Sequence, residues 1–151
     1  MTTWLLKTEP DDYAYDDLAR DARTVWDGVT NPAACIHLRA IKPGDEAFIY
    51  HTGSEKRIAG LARAVSAPYE DPSHPGLNGR GDIARPVVDL EPLAPATKPL
   101  TLADFKSDES LQAEGFEIVR LPRLSAMPVP AAIAKRIKSR AGIRPQSEPR
   151  A

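Results

Sequence analysis

The chain has 151 residues, of which 42% are hydrophobic and 27% are charged, and its formal net charge at pH 7 is −1. This length fits one domain with a buried core, and the composition excludes a chain that is disordered throughout. The 15 prolines are unfavourable inside helices and central strands, so we expect short elements joined by ordered loops.

The N-terminal part of the sequence predicts two short strands and two helices. A strand is expected over Thr3–Thr8, closed by a Glu-Pro pair, and acidic first-turn residues favour a helix over Tyr15–Asp21. Thr24–Trp26 is a brief extended segment before an Asp-Gly turn. Asn31 is then a helix N-cap, with a proline at the first helical position.

The middle of the chain contains the clearest strand pattern. Glu46–His51 is mostly apolar and runs into a Thr-Gly-Ser loop, and residues 57–65 are its expected hairpin partner. Gly60, inside that partner, indicates a bend or a close approach of another group to the backbone. Residues 68–82 are rich in Gly and Pro and predict a loop, and residues 85–93 predict the next strand.

The C-terminal part alternates short helices with one more strand. Residues 101–105 predict a capped helix, and residues 108–113 a second short helical piece. A last strand is expected over residues 123–129, and a proline then opens a final helix over Ala131–Arg140. Residues 143–151 are expected to be a flexible tail.

Strands separated by short helices and loops, with one strong hairpin, favour a small mixed α+β, barrel-like fold. No internal repeat or domain boundary interrupts residues 1–142, which we expect to form a single domain. The first apolar stretch, residues 4–6, is too short for a secretion signal or a membrane span. The single cysteine, Cys35, can form no internal disulfide. We therefore expect a cytoplasmic protein with no membrane partner.

The sequence lacks the patterns that common enzymes and metalloproteins require. His37, His51 and His74 have no metal-ligand spacing, and no second cysteine accompanies them. Neither a P-loop nor a strand-linked dinucleotide fingerprint is present. Ser73 and His74 are adjacent but have no evident acid to orient the histidine. We expect no metal, no cofactor and no catalytic activity.

Several polar or aromatic residues lie where strands and turns end. Lys7 and Thr8 close the first strand, where the alternation of faces weakens, so both can approach one ligand. Trp26 stands beside a tight turn, Asn31 follows it, and His51 ends the central strand. Each residue also has a structural interpretation: a solvated strand end, a core tryptophan, a helix cap and a buried histidine. Their combination is more informative than any one of them.

Positive charge is concentrated at the C-terminus. Residues 135–151 hold six basic residues and one acidic residue, so the remainder of the chain is acidic. An acidic body is a poor surface for following a phosphate backbone. Contact with a backbone is therefore expected only locally, with the basic side chains of the last helix as candidates: Lys135, Arg136, Lys138 and Arg140. A solvated helix end is the simpler interpretation.

Five motifs in this order resemble the EVE domain family. The resemblance covers about residues 2–140, and its motifs are WLLKTEP at 4–10, WDGVTN at 26–31, AFIYHT at 47–52, IAGL at 58–61 and RLSAMPV at 123–129. It implies a PUA-like fold, which is a mixed-sheet pseudo-barrel with short peripheral helices, similar to YTH and ASCH domains.

The resemblance also implies a function, which is to read a modified base in DNA or RNA. The base, methylated or hydroxymethylated, would stack in an aromatic pocket. By the resemblance, the pocket residues are Trp4, Lys7, Thr8, Trp26, Asn31, His51 and Ser125. The sequence departs from the family in residues 82–88, which lack a tryptophan that many members carry. This absence predicts a more open pocket.

Two other functions remain open at the level of sequence. The same pocket could serve an enzyme that acts on a nucleotide-like small molecule, with His51 as its base. Alternatively, the basic C-terminal helix could be the contact surface of a protein-interaction domain. In each case we expect a monomer.

Overall fold

The computed structural model describes residues 1–144. Within these residues, the strands are β1 Thr3–Thr8, β2 Thr24–Trp26, β3 Glu46–His51, β4 Arg57–Ala64, β5 Tyr69–Glu70, β6 Pro86–Pro95 and β7 Ala126–Val129. The helices are α1 Tyr15–Asp21, α2 Pro32–Ala40, α3 Leu102–Ser107 and α4 Ala131–Arg140, with a short 3-10 helix at Glu109–Leu111. Most predicted elements are therefore confirmed within one or two residues.

One mixed sheet organises the domain. Its strands lie in the order β2-β6-β4-β3-β1-β7, and β5 pairs with β6. β1 runs parallel to β3, whereas the other pairs are antiparallel, including the predicted hairpin of β3 and β4. α2 packs against β6 and β7, and α1 packs against β6. The predicted α+β class, with a mixed sheet and short peripheral helices, is confirmed.

The central strands are buried on both faces, so they lack the polar alternation of a half-exposed sheet. The core combines their apolar side chains with those of the helices and connecting segments. The largest fully buried side chains are Leu5, Leu6, Leu18, Leu38, Phe48, Ile49, Ile58, Leu61, Leu90, Leu100, Phe105 and Leu111.

The pairing of β1 brings several chain ends together. In the parallel register, Lys7 lies opposite Tyr50 and Thr8 opposite His51, so β1 and β3 end side by side. On the other edge of β1, the backbone N–H of Lys7 donates to the carbonyl oxygen of Ser125 at 2.9 Å, just before β7 begins. This corner of the sheet positions the cavity described below.

Gly60 allows the close approach that its place in a strand predicts. The β3–β4 register shifts beside it, between Ile49 and Tyr50. The ring of Tyr15 lies over the backbone of Gly60, and the Tyr15 hydroxyl donates to the carbonyl oxygen of Leu61 at 2.7 Å. A β-carbon at Gly60 would lie 2.5 Å from atoms of that ring, so no larger residue fits without moving Tyr15.

Two features differ from the sequence-based expectation. The predicted loop over residues 68–82 contains β5, a two-residue strand whose pairing with β6 depends on a distant segment. Ile143, the first residue of the predicted tail, is buried, and its N–H donates to the carbonyl oxygen of Lys138 at 2.9 Å. Residues 145–151 of that tail lie outside the described residues.

Replacing Gly60 by alanine should destabilise the fold. The added methyl group must displace the buried Tyr15 ring, and such overpacking lowers the free energy of unfolding by about 1–3 kcal/mol. Urea unfolding followed by circular dichroism measures the loss. Gly79→Ala is the matched control, because a β-carbon there meets no atom within 4 Å. Equal stability of the two variants would contradict the packing described for Tyr15.

Candidate functional site

A cavity of about 1080 Å³ opens where β1 and β2 end. Its wall is formed by the end of β1 and the segment after it, by β2, and by the turn that leads into α2. Asp89 of β6 and Ser125, just before β7, complete the lining. Five of the seven side chains that the sequence assigns to a pocket line this cavity: Lys7, Thr8, Trp26, Asn31 and Ser125.

Trp26 belongs both to the core and to the cavity wall. Only 6% of its surface is exposed, and Tyr13 packs against its ring edge-to-face, with centroids 6.4 Å apart. Its Nε1–H has no hydrogen-bond partner among residues 1–144. Every fully buried side-chain nitrogen or oxygen in that range does have a partner, so this nitrogen is not fully buried. This N–H is therefore accessible to solvent. Trp26 thus presents a small part of its indole and an unused donor.

Tyr13 is an aromatic residue of the lining that the sequence analysis missed. Its main chain is tied to the end of β1, because the hydroxyl of Thr8 donates to the carbonyl oxygen of Tyr13 at 2.7 Å. Its own hydroxyl donates to Asp21 at 2.9 Å, across α1. The only sequence signal is that Tyr13 follows the WLLKTEP motif closely.

Lys7 is held at the cavity wall by contacts within the protein. Its ammonium donates to the carbonyl oxygen of Pro122 at 3.0 Å and lies 5.5 Å from the centre of the Tyr50 ring. Burial lowers the pKa of this amine. One of the three N–H groups of this ammonium is therefore used within the protein.

Asn31 and Ser125 supply polar groups that the fold leaves unused. The Asn31 side-chain oxygen accepts the N–H groups of Ala33 and Ala34, which confirms the predicted helix cap. Its amide nitrogen has no hydrogen-bond partner among residues 1–144, and neither has the hydroxyl of Ser125 in the same part of the chain. Both can hydrogen-bond a ligand in the cavity.

The cavity lining carries more negative than positive charge. Its carboxylates are those of Glu9, Asp12, Asp27 and Asp89, and its cations are Lys7 and Arg23. The carboxylates of Asp12 and Asp27 have no hydrogen-bond or ion-pair partner in residues 1–144. Since a carboxylate accepts but does not donate hydrogen bonds, the lining favours a ligand with N–H groups over an anionic one.

His51 lies outside this cavity, so the structure does not bring it together with the other residues expected in the pocket. The ring is only 4% exposed, and its Nε2 accepts the backbone N–H of Tyr15 at 3.0 Å. Nδ1 lies 2.8 Å from Glu55, and with Nε2 as acceptor the neutral ring donates from Nδ1. This bond lowers the pKa of Glu55. Both ring nitrogens are thus occupied in fastening β3 to α1.

Trp4 also lies outside the cavity, because it stands at the other end of β1. Its indole N–H donates to Asp45 at 2.9 Å, and its ring centre lies 6.1 Å from that of His37. Asp45 further accepts the backbone N–H groups of Thr2 and Lys42. Burial opposes ionisation of Asp45, but these three bonds outweigh it and lower its pKa.

The predicted phosphate contacts of α4 are only partly available. Lys138 pairs with Glu46 at 2.7 Å, and Arg140 pairs with Asp108, so both side chains serve the fold. Lys135 and Arg136 are exposed and have no ion pair within residues 1–144. None of the four lines the cavity.

Residues 82–88, where the sequence lacks the additional tryptophan, do not contribute to the cavity lining. Among residues 1–144, no group of three or more His, Cys, Asp or Glu side chains is arranged to hold a metal ion. Over the same residues, every helix is too short or too polar to cross a bilayer.

The family model for the EVE domain matches residues 2–140. Human thymocyte nuclear protein 1 is 40% identical to this chain over an alignment 80 residues long, and the match covers 45% of this chain and 36% of the human protein. The chain thus spans about a third of the length of this curated relative.

Two solved structures are also similar. The first is human THYN1 in complex with DNA that contains 5-methylcytosine, with a TM-score of 0.82 and 26% identity over 96% of this chain and 100% of that chain. The second is the YTH domain of Zygosaccharomyces rouxii MRB1 in complex with N6-methyladenosine RNA, with a TM-score of 0.58 and 14% identity over 91% and 84% of the two chains. At 14% identity, the similarity to this YTH domain is a similarity of fold alone. It confirms the expected resemblance to the YTH fold.

Replacing Asp45 by asparagine should weaken the fold in a pH-dependent manner. A carboxylate whose pKa is lowered on folding stabilises the protein at pH values above its unfolded-state pKa, which is near 3.9. This contribution is lost as the pH falls through the folded-state pKa. We expect Asp45→Asn to lower the free energy of unfolding by about 1–3 kcal/mol at pH 7. The difference from the wild type should narrow on acidification below about pH 4. Urea unfolding of both proteins at several pH values measures this difference in the free energy of unfolding. A difference that does not change with pH would contradict the stabilising role of the Asp45 carboxylate.

Proposed function

Since the chain belongs to the EVE domain family, we propose that it is a nucleic-acid-binding module that reads a modified base. The base, methylated or hydroxymethylated, enters the cavity beside Trp26 from DNA or RNA. The observation that carries this proposal is the cavity itself, with an aromatic wall and unused hydrogen-bonding groups. 5-Methylcytosine in DNA is the first candidate ligand, because human THYN1 has been solved with DNA that contains it.

The energetics of base insertion are consistent with this cavity. A base must leave its stack before a protein can contact all its edges, which costs a few kcal/mol in a duplex and less in a single strand. Stacking on an aromatic side chain returns about 1–3 kcal/mol per base. The accessible part of the Trp26–Tyr13 pair is the aromatic surface proposed for such a contact. Hydrogen bonds must then distinguish one base from another.

The polar lining is suited to a base with both donors and acceptors. The amide nitrogen of Asn31 can donate to a ring nitrogen or a carbonyl oxygen, and the hydroxyl of Ser125 can donate or accept. The carboxylates of Asp12 and Asp27 can accept from an exocyclic amino group, as acidic side chains do with cytosine. Such a lining favours cytosine or adenine derivatives over thymine or uracil.

A non-catalytic role is supported by the positions of the polar residues. Ser125, one of the hydroxyl-bearing residues of the lining, has no histidine or lysine within hydrogen-bond distance in residues 1–144. His51, the candidate base for an enzyme, is buried outside the cavity with both ring nitrogens bonded. For a protein-interaction surface on α4, the ion pairs of Lys138 and Arg140 leave fewer free charges than the sequence suggests.

Filling the cavity should abolish binding without unfolding the protein. Ser125→Leu places a larger apolar side chain in the lining, whereas Ser139→Leu makes the same change on the exposed surface of α4. We expect Ser125→Leu to weaken binding of a labelled single-stranded oligonucleotide with one 5-methylcytosine at least tenfold in fluorescence anisotropy. Ser139→Leu should bind like the wild type. Equal affinities of the two variants would place the ligand elsewhere.

Removing the methyl group from the ligand should have a modest effect. A buried methyl group contributes about 0.8 kcal/mol, so we expect 5-methylcytosine to bind about fourfold more tightly than cytosine in the same oligonucleotide. Trp26→Ala should weaken binding of both oligonucleotides, with thermal unfolding as the control for folding. Tight binding of the unmodified oligonucleotide, with no gain from any modification, would reject a reader of modified bases.

A further inference from the structure

Two cations line the cavity, and Arg23 is the more exposed of the two. The ammonium of Lys7 is half-buried, donates to the Pro122 carbonyl oxygen at 3.0 Å and lies over the Tyr50 ring. The side chain of Arg23 is 59% exposed and comes from the segment that enters β2. A negative charge that approaches the cavity would therefore meet Arg23.

Arg23 is held in place by a carboxylate that is itself fixed. Its Nη2 donates to Asp89 at 2.8 Å, and the other oxygen of Asp89 accepts the hydroxyl of Tyr69 at 2.6 Å. The backbone N–H of Asp89 donates to the hydroxyl of Ser66 at 2.9 Å. The bonds from Tyr69 and Arg23 lower the pKa of Asp89, and they keep it charged at neutral pH.

This ion pair leaves most of the guanidinium unused. An arginine has five N–H groups, and the only hydrogen bond of the Arg23 side chain within residues 1–144 is the one from Nη2 to Asp89. An exposed pair of this kind contributes only about 0–1 kcal/mol to stability. The planar, always charged guanidinium is suited to a phosphate, which it can contact through two N–H groups at once.

The remainder of the lining gives this arginine a role toward a nucleotide ligand. Apart from Lys7, the other charged groups of the wall are carboxylates, which favour the base but repel a phosphate. Of the four α4 cations predicted to contact the backbone, none lines the cavity, and two are in ion pairs within the protein. A phosphate next to the inserted base therefore needs a local cation at the rim.

We propose that Arg23, oriented by Asp89, binds the phosphate attached to the nucleotide whose base enters the cavity. The proposal rests on the proposed function and deepens it, because it makes the ligand a phosphorylated nucleotide rather than a free base or nucleoside. The phosphate can belong to a nucleic-acid chain or to a free nucleotide.

The salt dependence of binding tests this contact. Each phosphate contact with a single strand contributes about −0.7 to the slope of log affinity against log salt concentration. Arg23→Gln should reduce the magnitude of that slope by about 0.7 and weaken binding of a 5-methylcytosine oligonucleotide roughly tenfold at low salt. Preference for 5-methylcytosine over cytosine should persist, because the base contacts are unchanged.

Arg20→Gln is the matched control. Arg20 is also exposed and ion-paired, with Asp17 at 2.9 Å and Asp21 at 3.0 Å, but it lies on α1 and does not line the cavity. Both variants lose the same charge, so a general electrostatic effect would change both slopes equally. A change confined to Arg23→Gln supports a direct contact, and equal slopes for the two variants would overturn it.

Calorimetry with small ligands identifies the source of the phosphate. Wild-type protein should bind 5-methyldeoxycytidine monophosphate more tightly than 5-methyldeoxycytidine, and Arg23→Gln should bind the two equally. If only the oligonucleotide shows the Arg23 effect, the phosphate belongs to a chain; if the monophosphate shows it too, a free nucleotide suffices. Base-selective binding with no effect of Arg23→Gln would reject this proposal alone, whereas no base-selective binding by the wild type would reject the proposed function as well.

Discussion

The cavity depends on how the chain is held where β1 ends. At this point the Lys7 N–H bonds to the Ser125 carbonyl, and the Thr8 carbonyl accepts the Thr52 N–H at 2.9 Å. The Thr8 hydroxyl bonds to the Tyr13 carbonyl and so fixes the segment beside Trp26. His51, although outside the cavity, stabilises the same corner, because its ring accepts the N–H at the start of α1. These bonds satisfy backbone groups that would otherwise lie unpaired at a strand end, and they shape the cavity at the same time.

Charge explains how a mildly acidic protein can be a nucleic-acid-binding module. With a formal net charge of −1, it gains little affinity from many phosphates at once, so non-specific binding should be weak. In the proposed function, affinity comes from the cavity, where stacking and hydrogen bonds would act on one base. The negatively charged lining would also make entry selective, since it favours amino-bearing bases. The proposed contact of Arg23 would add one phosphate without making the whole surface basic.

The sequence predicts local features well and long-range ones poorly. The strand over Thr3–Thr8 and the Asn31 cap follow from residues close together in the chain, and the structure contains both. Its motif places Trp4 in the pocket, but four residues of strand put it about 13 Å from Thr8 along the strand. β5 and the Arg23–Asp89 pair depend on pairing with β6, which no local pattern reveals. The ion pairs of α4 likewise join segments far apart in sequence, so the free charge of that helix was overestimated.

The most direct test of base insertion beside Trp26 uses the two tryptophans of the chain. Their indole N–H groups give separate NMR signals: that of Trp4 is bonded to Asp45, and that of Trp26 has no partner among residues 1–144. On titration with a single-stranded oligonucleotide that contains one 5-methylcytosine, we predict that the Trp26 signal shifts in a saturable manner while the Trp4 signal stays in place. Saturable binding that leaves the Trp26 signal unchanged would contradict insertion of the base into this cavity.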